Sequence, residues 1–270
     1  MDLGLRGKTA LVAASSRGFG KAVAMGLTAE GARVAMCSRT EGDLDRAVKE
    51  VRAAGQEVFG GAAGEVRGRA LDVTDGAALE GFVTEIEQRW GSVDLLLVNA
   101  GGPPAGNFSE LDLDQWEAAY RLTLESAVRM CRLVMPGMMA RGWGRIVQIT
   151  SVSVRQPVDN LLLSSVLRPA AHALVRNLAL EAAPRGVTVN SVAPGYHTTS
   201  AVERLIAKKI ELTGCNRDDV LADWSAEIPL GRLGKPEELA ALVLFLMSAG
   251  AGYITGQCIV SDGGWVKGTF

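Results

Sequence analysis

The sequence predicts an α/β fold, a parallel sheet doubly wound by helices on both faces, and two observations predict it. Six short runs, at 9–12, 33–37, 93–98, 145–149, 187–192 and 258–260, are rich in apolar and β-branched residues. Most are nearly continuous in apolar residues, as strands covered on both faces must be. Between them, the stretches 19–30, 43–54, 77–89 and 116–140 return apolar residues every three or four positions, the spacing of amphipathic helices. Strand and helix therefore alternate. Such a sheet has right-handed crossovers and opens its ligand crevice beyond the carboxyl ends of its central strands. The Gly-rich stretch 55–68 reads as an exposed connection.

Composition narrows the function classes. The chain has 270 residues, 48% of them hydrophobic, which suffices for the core of one α/β domain. Its 28 Lys and Arg against 30 Asp and Glu leave a formal charge of −2, with no basic excess to recruit nucleic acid or an anionic membrane surface. A small-molecule partner is expected. Cys37, Cys131, Cys215 and Cys258 are scattered, without a CxxC pair, and read as core thiols in a reducing compartment with no metal site. The first residues are charged and the longest apolar run, near 239–247, is too short to span a bilayer, so the expected location is cytoplasmic.

After the first strand comes Ala13-Ala14-Ser15-Ser16-Arg17-Gly18-Phe19-Gly20, and a helix follows at once. A Gly-rich turn there brings backbone amides and a helix N-terminus to a diphosphate. This loop is similar to the TGxxxGxG loop of short-chain dehydrogenases/reductases, with Ala13 and Ala14 in place of Thr and Gly. The resemblance continues through Leu71-Asp72-Val73-Thr74-Asp75, Asn99-Ala100-Gly101, Pro194-Gly195, and Tyr253 to Gly264, and it is nearest to 3-oxoacyl-ACP reductases. It implies a single doubly wound Rossmann domain over 1–270, with seven parallel strands and a substrate-covering helical segment at about 198–228. It also implies that Ala14, Ser16, Arg17, Gly18, Phe19 and Gly20 cradle the diphosphate and that Asp72 and Val73 border adenine. Asn99, Ala100 and Gly101 would hold the sheet and ribose, while Pro194, Gly195 and Thr199 approach the nicotinamide.

The choice of dinucleotide falls at the end of the second strand, where an acid would bind ribose hydroxyls and repel a 2′-phosphate. Ser38 stands there, followed by Arg39, and Arg17 lies in the loop. Two guanidinium groups can flank a phosphate, so NADP(H) is expected in preference to NAD(H).

The same family uses Ser, then Tyr-x-x-x-Lys, with an upstream Asn; the cationic Lys makes the phenol a usable acid and base. Aligned on Ile149-Thr150, the serine is Ser151. Ser164 then takes the Tyr position, Arg168 the Lys position and Thr123 the Asn position, and the chain's tyrosines are Tyr120, Tyr196 and Tyr253. A serine hydroxyl ionises far less readily than a phenol, so the usual proton relay cannot run unchanged. Tyr196 and His197, following Pro194-Gly195, are candidate substitute acids; His172 reads as a surface or packing residue. Pro169 predicts a kink or a helix start.

The expected activity is NADP(H)-dependent oxidation or reduction of a small carbonyl or hydroxyl compound, with Leu205, Ile206, Ile210, Leu212, Leu221 and Trp224 as candidate lining. The alternative is a catalytically silent NADP(H)-binding sensor or partner subunit. Family habit implies a homo-oligomer, a tetramer or dimer, packed through the helices at 116–140 and 168–181 together with the C-terminal strand.

Overall fold

A computed structural model describes residues 2–268. Seven strands form one sheet: β1 (Thr9–Val12), β2 (Arg33–Ser38), β3 (Val66–Ala70), β4 (Leu95–Val98), β5 (Gly144–Ile149), β6 (Val187–Pro194) and β7 (Cys258–Ser261). Their order is β3-β2-β1-β4-β5-β6-β7, and every adjacent pair is parallel. The order reverses between β1 and β4. A crevice opens at that point because the connections leave the two strands in opposite directions.

The helices are α1 (Gly18–Ala29), α2 (Glu41–Phe59), α3 (Gly76–Trp90), α4 (Leu113–Tyr120), α5 (Ser126–Arg141), α6 (Leu162–Ala182), α7 (Ser200–Thr213), α8 (Arg217–Glu227) and α9 (Pro236–Met247). On one face of the sheet, Val23 and Leu27 of α1, Leu44 and Val51 of α2 and Leu239 and Val243 of α9 pack against Val12, Met36 and Leu97. On the other, Phe82 and Ile86 of α3, Met130 and Val134 of α5 and Val175 and Ala179 of α6 meet Leu11, Leu96 and Ile146. Burying each such side chain contributes roughly 1.5–3 kcal/mol, so the double-sided sheet is the stability core of the chain.

Four expectations change. The stretch 55–68 is not a plain connection: α2 runs on to Phe59, and Val66–Ala70 forms an edge strand. Val66 is the one fully buried residue of that strand, while Arg67 and Arg69 lean outward, so no apolar run marks it. The helix expected at 116–140 is interrupted by one π-helical turn, Arg121–Glu125, joining α4 to α5. Pro169 neither starts nor breaks its helix. α6 begins at Leu162, whose amide donates to the Gly106 carbonyl, and burial of Leu163, Leu167, Ala171 and Val175 carries it past the proline. Finally, Cys37 and Cys131 are core thiols pushed up to about 12 by burial, but Cys215 and Cys258 are half-buried.

Candidate active site

The first cavity, about 210 Å³, lies beyond the ends of β1, β2 and β4. It gathers Ala14, Ser16, Arg17, Gly18 and Phe19 with Ser38, Arg39, Asp72, Val73, Asn99, Ala100, Gly101 and Thr199. The floor is backbone. Ala14 sits in the left-handed region at φ 49°, and Gly18 at φ 56°. A non-glycine residue there costs roughly 1–2 kcal/mol, a strain that the surrounding loop holds in place. Gly20 lies behind the loop, where a Cβ would clash with the Ala14 carbonyl oxygen. The Asn99 side-chain amide donates to the Ala13 and Ala14 carbonyls at 3.3 and 3.4 Å, tying the loop to the end of β4.

Helix α1 starts at this loop without a side-chain cap on its first amides and without an acid in its first turn. Its positive end therefore faces the cavity uncompensated. At the far end, the Ser38 hydroxyl is buried and has no partner, and Arg39 forms no ion pair among the described residues. Arg17 behaves differently, because its guanidinium is bound to Asp43 of α2 at 2.9 Å. Asp72 turns one carboxylate oxygen back to the Thr74 amide and hydroxyl, at 2.9 and 2.8 Å. A capless helix end, an unpartnered buried hydroxyl and a loop backbone packed directly on Gly20 together fit a dinucleotide.

The second cavity, about 460 Å³, adjoins the first along Phe19, Asn99, Ala100, Thr199 and Arg204. Ser151, Ser164 and Arg168 line it, with Pro194 and Gly195 opposite. Ser151, Ser164 and Arg168 each have at least one partner within the protein. Ser164 shares a 3.0 Å hydroxyl contact with Ser153, whose amide donates to the Ser151 hydroxyl at 3.2 Å. Arg168 donates through Nη1 to the Ile149 carbonyl at 2.9 Å, and its buried Nε has no partner. Burial without a counterion pushes the guanidinium down to about 10, which still leaves it charged at neutral pH.

Thr123 does not reach this cavity. It is buried in the π turn with its hydroxyl unpartnered. His197 also lies elsewhere: it is 2% exposed, meets the Phe19 ring edge-on at 5.2 Å and holds Nδ1 3.1 Å from the Gly195 carbonyl. Burial holds it below the usual histidine range. Tyr196 stacks on Trp224 at 4.2 Å and leans on Trp265, facing a third cavity of about 440 Å³. Burial first, then Glu227 and Asp159, pushes its phenol up to about 12. His172 is half-buried, with Nδ1 2.9 Å from the Ser191 hydroxyl.

Three comparisons bear on this geometry. The sequence profile described as enoyl-(acyl carrier protein) reductase matches residues 13–266. The chain is 34% identical over 262 residues to the 3-oxoacyl-acyl-carrier-protein reductase FabG of Salmonella typhimurium, covering 97% of this chain and 98% of that one. The chain belongs to the short-chain dehydrogenase/reductase family. Among solved members, L-sorbose reductase of Gluconobacter frateurii, complexed with NADPH and L-sorbose, superposes at a TM-score of 0.91 with 30% identity, over 99% of this chain and 100% of that one. A variant of actinorhodin polyketide ketoreductase with NADPH superposes at 0.90 with 32% identity, over 97% and 98% of the two chains.

Sequence reasoning missed several residues of this family member's cleft. Gly102, Pro103, Pro104 and Ala105 wall the second cavity after β4, and Ala201, Arg204 and Lys208 face it from α7 beside the expected Leu205. The Pro-Pro pair and the i, i+3, i+4, i+7 spacing on α7 were the available signals. Of the expected apolar lining, Leu205 reaches the second cavity and Leu212 and Trp224 the third, while Ile206 is buried against Val220 and Trp224.

Proposed function

We propose that the chain is an NADP(H)-dependent oxidoreductase of the carbonyl reductase or alcohol dehydrogenase type, acting on a small carbonyl or hydroxyl compound through a non-standard catalytic site. The observation that carries this is the continuity of the two cavities across Asn99, Ala100 and Thr199. When bound, a nicotinamide supplies hydride transfer, and the protein supplies positioning and electrostatics. The α1 amides from Gly18 would hold the diphosphate, Ser38 and Arg39 the 2′-phosphate, and Asp72 and Val73 the adenine side. Arg17 would exchange Asp43 for phosphate. The NADPH named in the two solved relatives supports the same choice.

At the reaction end, Ser151 and Ser164 offer hydroxyls and Arg168 a fixed positive charge. A buried cation beside a carbonyl stabilises the oxygen as negative charge develops, even where no phenol stands. Helices α7 and α8, in the segment 198–228, cover the substrate side. The assembly belonging to this reading is a homo-oligomer, a tetramer or dimer, which sedimentation would read directly.

A second reading, a silent NADP(H)-binding sensor or partner subunit, is favoured by one observation. Arg168, Arg204 and Lys208 are the ionisable residues of the second cavity, and none is an acid suited to neutral pH. Calorimetry with NADPH and NADH, followed by turnover on a panel of carbonyl compounds, separates the readings. NADPH heat with turnover is expected; heat without turnover selects the silent protein, and heat from neither dinucleotide overturns both.

A further inference from the structure

The charge of the second cavity is one-sided. Among the described residues, its lining holds three ionisable side chains, Arg168, Arg204 and Lys208, and no carboxylate. Arg168 enters from α6, nine-tenths buried, with an unpartnered Nε. Arg204 and Lys208 enter from α7, one turn apart, on the helix face that also presents Ala201 and Leu205. Like charges at i and i+4 repel each other, so this pair weakens its own helix unless an anion lies between or before them. Lys208 has one partner, Glu211 on the outer side at 3.0 Å, and Arg204 has no ion pair among the described residues. Asp159 and Glu227 line the third cavity, which Lys208 and Leu205 also border, and do not line the second.

We infer that the second cavity takes an anionic substrate, a carbonyl or hydroxyl compound bearing a carboxylate or phosphate, whose oxyanion is held by Arg204 and Lys208 across from Arg168. The inference rests on the reading of this cavity as the substrate site. Arg204 also borders the first cavity, which sets the anion site beside the proposed dinucleotide site. Guanidinium and ammonium donors bind oxyanions through charge-assisted hydrogen bonds, strong enough to separate an acid from its neutral analogue by roughly tenfold or more.

The test is a ligand-observed NMR titration on the full chain, with and without NADPH, using two matched pairs: acetoacetate against methyl acetoacetate, and dihydroxyacetone phosphate against dihydroxyacetone. The charged member of at least one pair is expected to bind roughly tenfold more tightly than its neutral partner at low salt, with the advantage shrinking as salt rises. In an Arg204→Gln, Lys208→Gln chain, whose changes lie on the exposed face of α7, that advantage is expected to disappear while the neutral member is unaffected. Equal affinities within both pairs, or an advantage that survives in the variant, overturns the inference. NADPH calorimetry on the same samples reports on the dinucleotide site alone. Its failure with charge selectivity intact would sink the proposed function and leave only an anion-binding cavity; lost selectivity with NADPH heat intact would sink this inference alone.

Discussion

The two ends of the cleft are built from different material. At the dinucleotide end, what faces the cavity is largely backbone: uncapped amides of α1 and a left-handed Ala14, in a loop packed directly on Gly20. At the reaction end it is side chains, and those of Ser164 and Arg168 are held by Ser153 and the Ile149 carbonyl. A site made of backbone tolerates substitutions that keep its dihedral angles, whereas a site made of functional groups changes chemistry with each replacement. That difference lets a chain keep its relatives' fold while the side chains at its reaction end are free to vary.

The largest effect that would sharpen this contrast is at the reaction end. Ser164→Tyr with Arg168→Lys is expected to raise carbonyl turnover by about 10²- to 10⁴-fold, the usual contribution of general acid catalysis. Steady-state kinetics decide, and a fall in turnover would mean that the native residues carry a working relay of their own. Tyr196→Phe and His197→Gln, measured singly in the same assay, are expected to leave turnover within about twofold, because neither side chain lines the second cavity.

A smaller effect is expected at the other end. Arg39→Ala should weaken NADPH by roughly 1.5–3 kcal/mol, or about tenfold to a hundredfold, and leave NADH unchanged, as a charged hydrogen bond to the extra phosphate predicts. Ser38→Asp should reverse the preference. Competition binding with both nucleotides reads this, and an equal loss for the two would detach Arg39 from the 2′-phosphate.

Smaller still is the gain from relieving Ala14. Replacement by Gly removes roughly 1–2 kcal/mol of left-handed strain but frees the unfolded chain by roughly 0.5–1 kcal/mol, leaving a net gain of about 0.5–1 kcal/mol. Thermal unfolding should rise by about 1–3 °C. No rise would show that the loop, and not the residue, sets the geometry.

Last comes a slope. His172 and His197 are both held below the usual histidine range, by burial first and then, for His172, by Arg155 and Arg176. The unfolded chain therefore takes up more protons, and the stability due to the neutral rings is lost as pH falls through about 6.5, the unfolded value. Denaturant titrations from pH 8 to 5 should show that decline, and replacing both histidines by Gln should flatten it.

The sheet was legible because its central strands are continuous apolar runs and its helices carry a clean 3.6 period. Val66–Ala70 was not, since an edge strand with one buried residue has no period to read. In the cleft, Gly18, Ser38 and Asp72 were legible from local motifs after strands. The ion pair of Arg17 with Asp43 and the stacking of Tyr196 on Trp224 join residues 26 and 28 positions apart, and only the folded chain brings them together. Loop position alone also made His197 look available, although its ring turns inward onto Phe19.

The π turn at Arg121–Glu125 carries a consequence for how the chain tolerates change. Upstream, Ala119 and Trp116 nestle on Leu163 and Leu167, while downstream Met130 and Val134 belong to the sheet's core. Each residue of α-helix rotates about the axis by about 100°, so the inserted unit lets a single rod satisfy two packing surfaces that a regular helix would serve out of phase. Deleting Thr123 would restore regularity and, by the same rotation, strip one of those surfaces of its apolar teeth.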